Sequence, residues 1–328
     1  MPKRITIHDV AREAGVAAST VSRTFSSPDR ISASTREHVV TVAHRLGYRP
    51  NPVARALPRG KTLTLALLVP DITNPFFFGL IRGAERQAAT AGYTLVLADT
   101  GESATMERTH IERLTGGVDG FVLASSRLPD DALPTVIAGQ RAVLVNRSSA
   151  DLPSVVINEE QGMRQAVDHL VSLGHTSIAY LGGPTTSWSN RAKWRALQNA
   201  SRRHRVSIRR LGPFSPTVAS GAPAADAALV AGVTAIIAFN DLLAIGAQLR
   251  LHSRGIAVPD QISVVGCDDI FGADFCQPPL TTLAADIEQA GRSAIDLVLA
   301  NRADNVVLPS HLRIRESTGP APTPKEHR

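Results

Sequence analysis

Residues 5–26, ITIHDVAREAGVAASTVSRTFS, carry the pattern that most constrains how this chain can fold. Their apolar spacing predicts two short helices, at 7–13 and 18–25, joined by a tight turn at 14–16. Gly15 can take the positive φ that a sharp turn between helices needs. The residues that would touch where the helices cross are small or apolar: Val10, Ala11, Ala14, Val16 and Val21.

The outer face of the second predicted helix has short side chains and one arginine. The residues on this face are Ala17, Ala18, Ser19, Thr20, Ser22 and Arg23. Short side chains let a helix enter the major groove of DNA, where an arginine can read a guanine. The pattern favours DNA binding, and an ordinary helical hairpin in an unrelated domain is the alternative.

Positive charge is concentrated at the start of the chain. The 328 residues are enough for two or three domains. Residues 1–61 hold 11 Lys and Arg against 4 Asp and Glu, whereas the remaining 267 residues hold 24 against 25. A small basic domain on a nearly neutral body indicates one module for a polyanion and another for a different ligand. A solubilising basic arm fits less well, because the segment has a helical apolar pattern.

Several classes of protein are disfavoured by what the sequence lacks. Cys267 and Cys276 have no partners at metal-ligand spacing and are interpreted as packing residues, so we expect no metal and no cofactor. Neither a signal peptide nor an apolar run of about 18 residues is present, which predicts a cytoplasmic protein without a membrane span. None of the GxGxxG, GxxxxGK[ST], HExxH or GxSxG motifs occurs in its proper context, so we do not expect an enzyme.

A third helix and a short connector complete the basic segment. Ser32 is a predicted N-cap of a helix that ends at Gly47. In residues 48–61, Asn51 and Pro52 can start a helix of six or seven residues. Helices below about 12 residues are marginal in water, so this one should form only when something packs on it. Leu57 would then be a minor-groove wedge, and a plain proline-rich linker is the alternative.

From residue 63 onward, buried strands alternate with helices, which is typical of parallel sheets covered on both faces. The number of units predicts two doubly wound lobes, with ligands held beyond the carboxyl ends of the strands. Polar and aromatic residues follow predicted strands at 71–77, 146–147, 188–193, 240–241 and 267–269. Carboxylates and amides bind hydroxyls, and Phe76, Phe77 and Trp188 can cover an apolar ring face. Taken singly, the phenylalanines can be core residues and the polar residues helix caps.

Together these segments resemble the LacI/GalR family of bacterial transcription regulators across nearly the whole chain. The resemblance rests on TIHDVAREAGVAASTVSR, ISASTREHV, LGYRPNPVARAL, VPDITNPFF, HLVSLGHTSIAYLGGP, AFNDLLAIGA, ISVVGCDD and PPLTTL. It implies a homodimer that places two headpieces on a pseudo-palindromic operator. It also implies a core like periplasmic sugar-binding proteins, in which the chain crosses between lobes near residues 160, 287 and 311.

The expected organisation combines an all-α helix-turn-helix headpiece with an α/β core of two doubly wound parallel-sheet lobes. The expected boundaries are 1–47 for the headpiece, 48–61 for the hinge, 62–160 with 288–310 for the N-terminal lobe, 161–287 with 311–318 for the C-terminal lobe, and 319–328 for a disordered tail.

The resemblance also implies which residues form each site. The implied base contacts are Ala18, Ser19 and Arg23, the phosphate contacts are Thr6, Thr20, Ser22 and Thr35, and the hinge contacts are Asn51, Ala54 and Leu57. The effector contacts expected from motif and strand positions are Asp71, Phe76, Phe77, Asn146, Trp188, Lys193, Phe214, Asn240 and Asp268, together with Arg191.

Five positions depart from the family pattern: Ala17, Ser26, Asn146, Lys193 and Cys267. Ala17 stands where serine is frequent, and losing such an N-cap costs about 1 kcal/mol. Lys193 replaces the usual arginine, for which Arg191 could substitute, and Asn146 replaces a frequent aspartate. Because the chain ends at TGPAPTPKEHR without heptads, we expect no tetramer of the lactose-repressor kind.

The prediction for function is a sequence-specific DNA-binding regulator, a repressor, controlled by a sugar-like effector between the lobes. A ligand-responsive activator is the first alternative. A sugar-binding protein without DNA function fits poorly with the basic headpiece. An enzyme of nucleotide or sugar metabolism fits poorly with the lack of a catalytic motif.

Overall fold

The computed structural model describes residues 5–48 and 61–323. These residues divide into two compact units that meet in sequence at Leu63 and Thr64. Most of the predicted hinge, with Asn51, Ala54 and Leu57, lies outside the described residues. In the part of the chain that is described, no helix combines the length and apolarity needed to cross a bilayer.

The first unit is a three-helix headpiece, as predicted. Its helices are α1 (Ile7–Glu13), α2 (Ala18–Ser26) and α3 (Ala33–Arg45), and a 3-10 turn lies at Pro28–Arg30. Gly15 turns the chain between α1 and α2 with a φ of 66°. The headpiece core consists of Val10, Ala11, Ala14, Val21, Val39, Val42 and Ala43. The sequence pattern predicted the helix-turn-helix correctly because its apolar residues recur with helical spacing.

The second unit contains two six-stranded sheets, which confirms the predicted pair of lobes. The strands are β1 (Thr64–Val69), β2 (Thr94–Asp99), β3 (Phe121–Ala124), β4 (Ala142–Val145), β5 (Ser154–Ile157), β6 (Ser177–Leu181), β7 (Ser207–Leu211), β8 (Ala235–Ala238), β9 (Ser263–Cys267), β10 (Thr281–Ala285), β11 (Asn305–Leu308) and β12 (Ser310–Arg313). The strand orders are β11-β5-β4-β3-β1-β2 and β12-β10-β9-β8-β6-β7. All pairs are parallel except β10 with β12.

Helices connect these strands. They are α4 (Phe76–Thr90), α5 (Ala104–Leu114), α6 (Leu133–Val136), α7 (Glu159–Ser172), α8 (Trp188–His204), α9 (Gly221–Val230), α10 (Asp241–Ser253) and α11 (Ile287–Ala300), with a 3-10 turn at Val218–Ser220. The central strands are fully buried because helices cover both faces, and this accounts for their nearly continuous runs of Val, Ile, Leu and Ala.

The chain passes between the two sheets three times. The crossings lie between β5 and α7, between β10 and α11, and between β11 and β12. Each lobe is therefore assembled from separate stretches of sequence, and the carboxyl ends of β5 and β10 lead directly into the other lobe. These crossings place the first residues of α7 and α11 where the lobes meet.

The start of the predicted disordered tail is ordered. The Gly319 amide donates a hydrogen bond to Ser263 Oγ at 3.0 Å, and the Ala321 amide donates to the Leu173 carbonyl at 2.8 Å. A ring nitrogen of His175 lies 3.0 Å from the Gly319 carbonyl oxygen. Polar groups of the C-terminal lobe therefore bind the start of this stretch, contrary to the prediction of a disordered tail from residue 319.

Candidate functional site

Helix α2 exposes the face that the sequence predicted to meet DNA. Ser19 and Arg23 are exposed, and Ala18, Thr20 and Ser22 are half-buried. Val21 and Thr24 point the other way and are buried, which fixes the rotation of the helix. The surface combines hydroxyls with a single guanidinium, groups that can bind phosphates and base edges.

The other predicted phosphate-binding residues of the headpiece, Thr6 and Thr35, lie at the N-termini of α1 and α3. Thr6 Oγ1 lies 2.7 Å from Asp9 Oδ2, and Asp9 accepts the Thr6 amide, so the two residues form a capping box. Thr35 Oγ1 lies 2.8 Å from the hydroxyl of Ser32, the N-cap of α3. Ala17 caps α2 without a side-chain hydrogen bond, so the amides of its first turn are free of such a cap.

A cleft lies between the lobes of the core, at the carboxyl ends of the strands. It encloses about 360 Å³ of space that is partly open to solvent. Its lining residues come from both lobes and are mostly polar or aromatic: Asn74, Phe76, Phe77, Glu102, Ser125, Arg127, Asn146, Ser189, Lys193, Pro216, Phe239, Asn240 and Asp268. We call this space the interlobe cleft. Its chemistry suits hydroxyl-bearing ligands with an apolar face.

The structure brings six of the predicted effector residues together in this lining: Phe76, Phe77, Asn146, Lys193, Asn240 and Asp268. The two phenylalanine rings begin α4 and pack edge to face, with centroids 5.0 Å apart. Asn240 caps α10 through Leu243 and donates from Nδ2 to the Pro216 carbonyl.

Four predicted residues do not line the cleft. Asp71 closes a local turn by accepting from the amide and hydroxyl of Thr73. Phe214 packs on the core of the C-terminal lobe, and Trp188 is half-buried at the start of α8. Arg191 is exposed and donates to the Thr186 carbonyl. It does not substitute for Lys193, because residues two apart on a helix point about 200° apart.

Asn146 presents an unsatisfied acceptor. It follows β4 with a φ of 55°, and its Nδ2 donates to Ser125 Oγ at 3.1 Å. Its Oδ1 is buried and has no hydrogen-bond partner among the described residues. An unpaired buried acceptor costs free energy, so a donor from a ligand in the cleft would be stabilised here.

Lys193 is a buried cation at the base of the cleft. Its Nζ donates to the Phe239 carbonyl at 3.1 Å and lies 3.6 Å from Glu159 Oε1 and 3.9 Å from Asp268 Oδ1. Burial opposes the charge, but the nearby carboxylates of Glu159 and Asp268 outweigh it and raise the pKa of Lys193. The lysine therefore stays charged.

Sequence reasoning missed three charged residues of the site. Arg127 and Glu102 line the cleft, and Glu159 lies behind it against Lys193. All three follow predicted strands, at the ends of β3, β2 and β5. The rule that located Asn146 and Asp268, that ligands gather beyond the carboxyl ends of strands, could have found them.

Asp241 is a buried carboxylate beside Asn240, and it makes the stability of the core depend on pH. Its oxygens accept from the Ile270 amide at 2.9 Å and from Thr282 Oγ1 at 2.5 Å, and burial raises the pKa of Asp241 to about 7. The folded state holds the Asp241 proton more tightly than the unfolded state does. Asp241 therefore contributes stability at acid pH, and this stability is lost as pH rises through about 7.

We expect the stability of Asp241→Asn relative to wild type to be greater at pH 8 than at pH 5, because the wild type loses stability between about pH 4 and pH 7 and the variant does not. The substitution should remove the pH dependence that this proton gives to the free energy of unfolding, which is at most about 1.4 kcal/mol per pH unit. Urea unfolding at several pH values measures this slope. Asp260→Asn, at an exposed position, is the control and should keep the wild-type profile. A profile for Asp241→Asn that parallels that control would contradict the assignment.

Across residues 5–48 and 61–323, no group of three or more His, Cys, Asp or Glu side chains is arranged to hold a metal ion. Cys267 is buried, and its thiol lies 3.2 Å from the Ala238 carbonyl oxygen.

Two family models match the chain. Residues 6–51 match the bacterial regulatory proteins of the lacI family, and residues 167–318 match the periplasmic binding protein-like domain. The matches cover the described helix-turn-helix and much of the described C-terminal lobe.

Curated relatives and a solved structure extend the similarity over nearly the whole chain. The HTH-type transcriptional regulator DegA of Bacillus subtilis is 35% identical over 340 residues, covering 98% of this chain and 100% of DegA. The HTH-type transcriptional repressor CytR of Escherichia coli is 34% identical over 307 residues, covering 90% of this chain and 89% of CytR. The lac repressor dimer bound to operator and the anti-inducer ONPF superimposes with a TM-score of 0.86 at 29% identity, covering 97% of this chain and 100% of that one. This chain belongs to the LacI family of bacterial regulatory proteins.

Proposed function

We propose that this protein represses transcription by binding an operator through its headpiece, and that a sugar-like metabolite in the interlobe cleft controls this binding. The observation that carries the proposal is the cleft itself. Both lobes contribute aromatic and polar residues to it, and Asn146 Oδ1 is a buried acceptor without a partner among the described residues. The similarity to a repressor and to an operator-bound dimer supports the DNA-binding part.

In this proposal two copies bind the two halves of a pseudo-palindromic operator in the bacterial cytoplasm. Ala18, Ser19 and Arg23 read bases, and Thr20 and Ser22 contact phosphates. Thr6 and Thr35 contribute from the N-termini of α1 and α3, where the helix dipole favours an anion. In the hinge, Asn51 and Ala54 support a short helix and Leu57 opens a base step.

The effector acts by biasing the angle between the lobes. Phe76 comes from the N-terminal lobe and Asp268 from the C-terminal lobe, so a ligand that touches both favours one closure of the cleft. A ligand can shift the equilibrium only by its difference in affinity for the two closures. The same difference must appear as a change in operator affinity.

We expect Arg23→Ala to lose about 1–3 kcal/mol of discrimination at one base pair of each half-site. The guanidinium is exposed on α2 and can pair with both acceptors of a guanine. Competition binding against operators with single base changes measures the loss. Arg36→Ala removes an exposed arginine of α3 and should leave discrimination intact. Unchanged discrimination in Arg23→Ala would remove that residue from the base contacts.

The proposed function as a whole is tested in two steps. Genomic fragments are selected on the purified protein against bulk competitor DNA, and the selected operator is then titrated with metabolites that raise the melting temperature. We expect a fragment that lies across a promoter, reduced transcription from it in vitro, and a metabolite that changes operator affinity. Absence of any preferred fragment would overturn the proposal, and increased transcription would replace repression with activation.

A further inference from the structure

Each cation that lines the interlobe cleft already faces a carboxylate. The lining contains two basic side chains, Arg127 from the N-terminal lobe and Lys193 from the C-terminal lobe. An anionic ligand binds where a cation still has free donors and no counter-charge. The partners of these two side chains therefore determine which ligands the cleft accepts.

Arg127 is neutralised within the N-terminal lobe. Its Nε donates to Glu102 Oε2 at 2.6 Å, and its Nη1 donates to the Ser125 carbonyl at 3.0 Å. The arginine side chain is 5% exposed and the glutamate 30% exposed, so the pair is largely shielded from water. Shielding from water strengthens the attraction between Arg127 and Glu102, and an anionic ligand would have to compete with it.

Lys193 is neutralised within the C-terminal lobe. Its ammonium lies 3.6 Å from Glu159 Oε1, with side-chain exposures of 5% and 8%. Asp268, which lines the cleft, lies 3.9 Å from the same nitrogen. Glu159 thus supplies a counter-charge from behind, and Asp268 adds a second carboxylate on the ligand side.

The charges around the cleft leave no positive excess. Two cations face three carboxylates, those of Glu102, Glu159 and Asp268. Burial raises the pKa of both Glu159 and Asp268, whereas the adjacent Lys193 ammonium lowers both, and with either carboxyl protonated the sum is still zero. A phosphate or carboxylate would have to leave water without gaining an unpaired cation.

We infer that the cleft takes an uncharged polyhydroxyl metabolite and rejects its phosphorylated or carboxylated counterparts, with Glu102 and Glu159 as specificity-determining residues. The hydroxyl groups of such a ligand donate to Asn146 Oδ1 and to Asp268. The inference rests on the proposed function, because it concerns the chemistry of the same cleft.

The full-length protein is titrated with matched neutral and anionic probes. The pairs are glucose against gluconate and the terminal phosphate ester of glucose, ribose against its terminal phosphate ester, and adenosine against AMP. We expect at least one neutral member to raise the melting temperature and its anionic partners to bind at least tenfold more weakly. An anionic member that binds as tightly as its neutral partner overturns this inference and leaves the proposed function standing. If neither member of any pair binds, this inference fails, whereas the proposed function is decided by the operator selection described above.

Glu159→Gln tests the cause of the selectivity. It keeps the shape of the side chain and removes the counter-charge behind Lys193, so the neutral-to-anionic affinity ratio should fall about tenfold. Glu160→Gln is the matched control, because Glu160 is the next residue of α7 and is exposed. Equal ratios in the two variants would overturn the role of Glu159. If Glu159→Gln does not fold, Glu102→Gln makes the same test through Arg127.

Discussion

Replacing Lys193 with methionine should lower the free energy of unfolding of the core by about 3–5 kcal/mol at neutral pH. Methionine fills similar space in the lobe, so the loss comes from charge. Glu159 and Asp268 would remain buried without the ammonium that now lies 3.6 Å and 3.9 Å from them. Removing one member of a buried ionic cluster strands the others in a medium that solvates them poorly.

The loss should depend on pH in a definite direction. Without the lysine, the pKa values of the two stranded carboxyls rise further in the folded state, so protonation restores stability at acid pH and the deficit grows as pH rises. Urea unfolding at pH 5 and pH 8 measures the difference. Arg195→Met, at an exposed position two residues along α8, is the control. A deficit that is the same at both pH values would contradict the charge argument.

Val21→Asp should abolish selective DNA binding while leaving the core intact. Val21 is fully buried in the headpiece, whose core has only seven fully packed residues. A domain this small has a stability of only a few kcal/mol, and an unpaired carboxylate in its core costs at least as much. The unfolded headpiece would no longer hold α2 in place, so Arg23 would not be positioned for a base.

The control for this prediction lies in the same headpiece. Val40 is 41% exposed on α3, so Val40→Asp adds the same charge without burying it. Both variants add one negative charge to the headpiece, and only the buried substitution should remove operator selectivity. Metabolite-induced stabilisation of the core should be unchanged in both. Selective binding retained by Val21→Asp would contradict the helix-turn-helix assignment of residues 5–26.

The sequence revealed the elements whose side chains repeat with a clear period. The headpiece helices and the central strands were predictable because their apolar residues are either helically spaced or nearly continuous. Strand β7 was missed because its sequence, SIRRL, contains two exposed arginines. It is the edge strand of its sheet, so only part of its surface is buried and its composition resembles that of a loop.

The cleft was predictable in place but not in detail. Asn146, Asn240 and Asp268 were found because ligands gather at the carboxyl ends of parallel strands. The direction of α8 was not predictable, and it decides that Lys193 faces the cleft whereas Arg191 faces solvent. Nor does spacing show that Glu159 pairs with Lys193, because the two lie 34 positions apart and meet only through packing.

The three crossings between the lobes determine which parts of such a regulator can be exchanged. A new headpiece can be joined to the core at one junction, near residues 61–63, because headpiece and core are consecutive in sequence. A new ligand-binding lobe would require three simultaneous junctions, between β5 and α7, between β10 and α11, and at the single residue that separates β11 from β12. Recombination between relatives at the single junction should therefore pair whole headpieces with whole cores freely, whereas one lobe alone cannot be exchanged at a single junction.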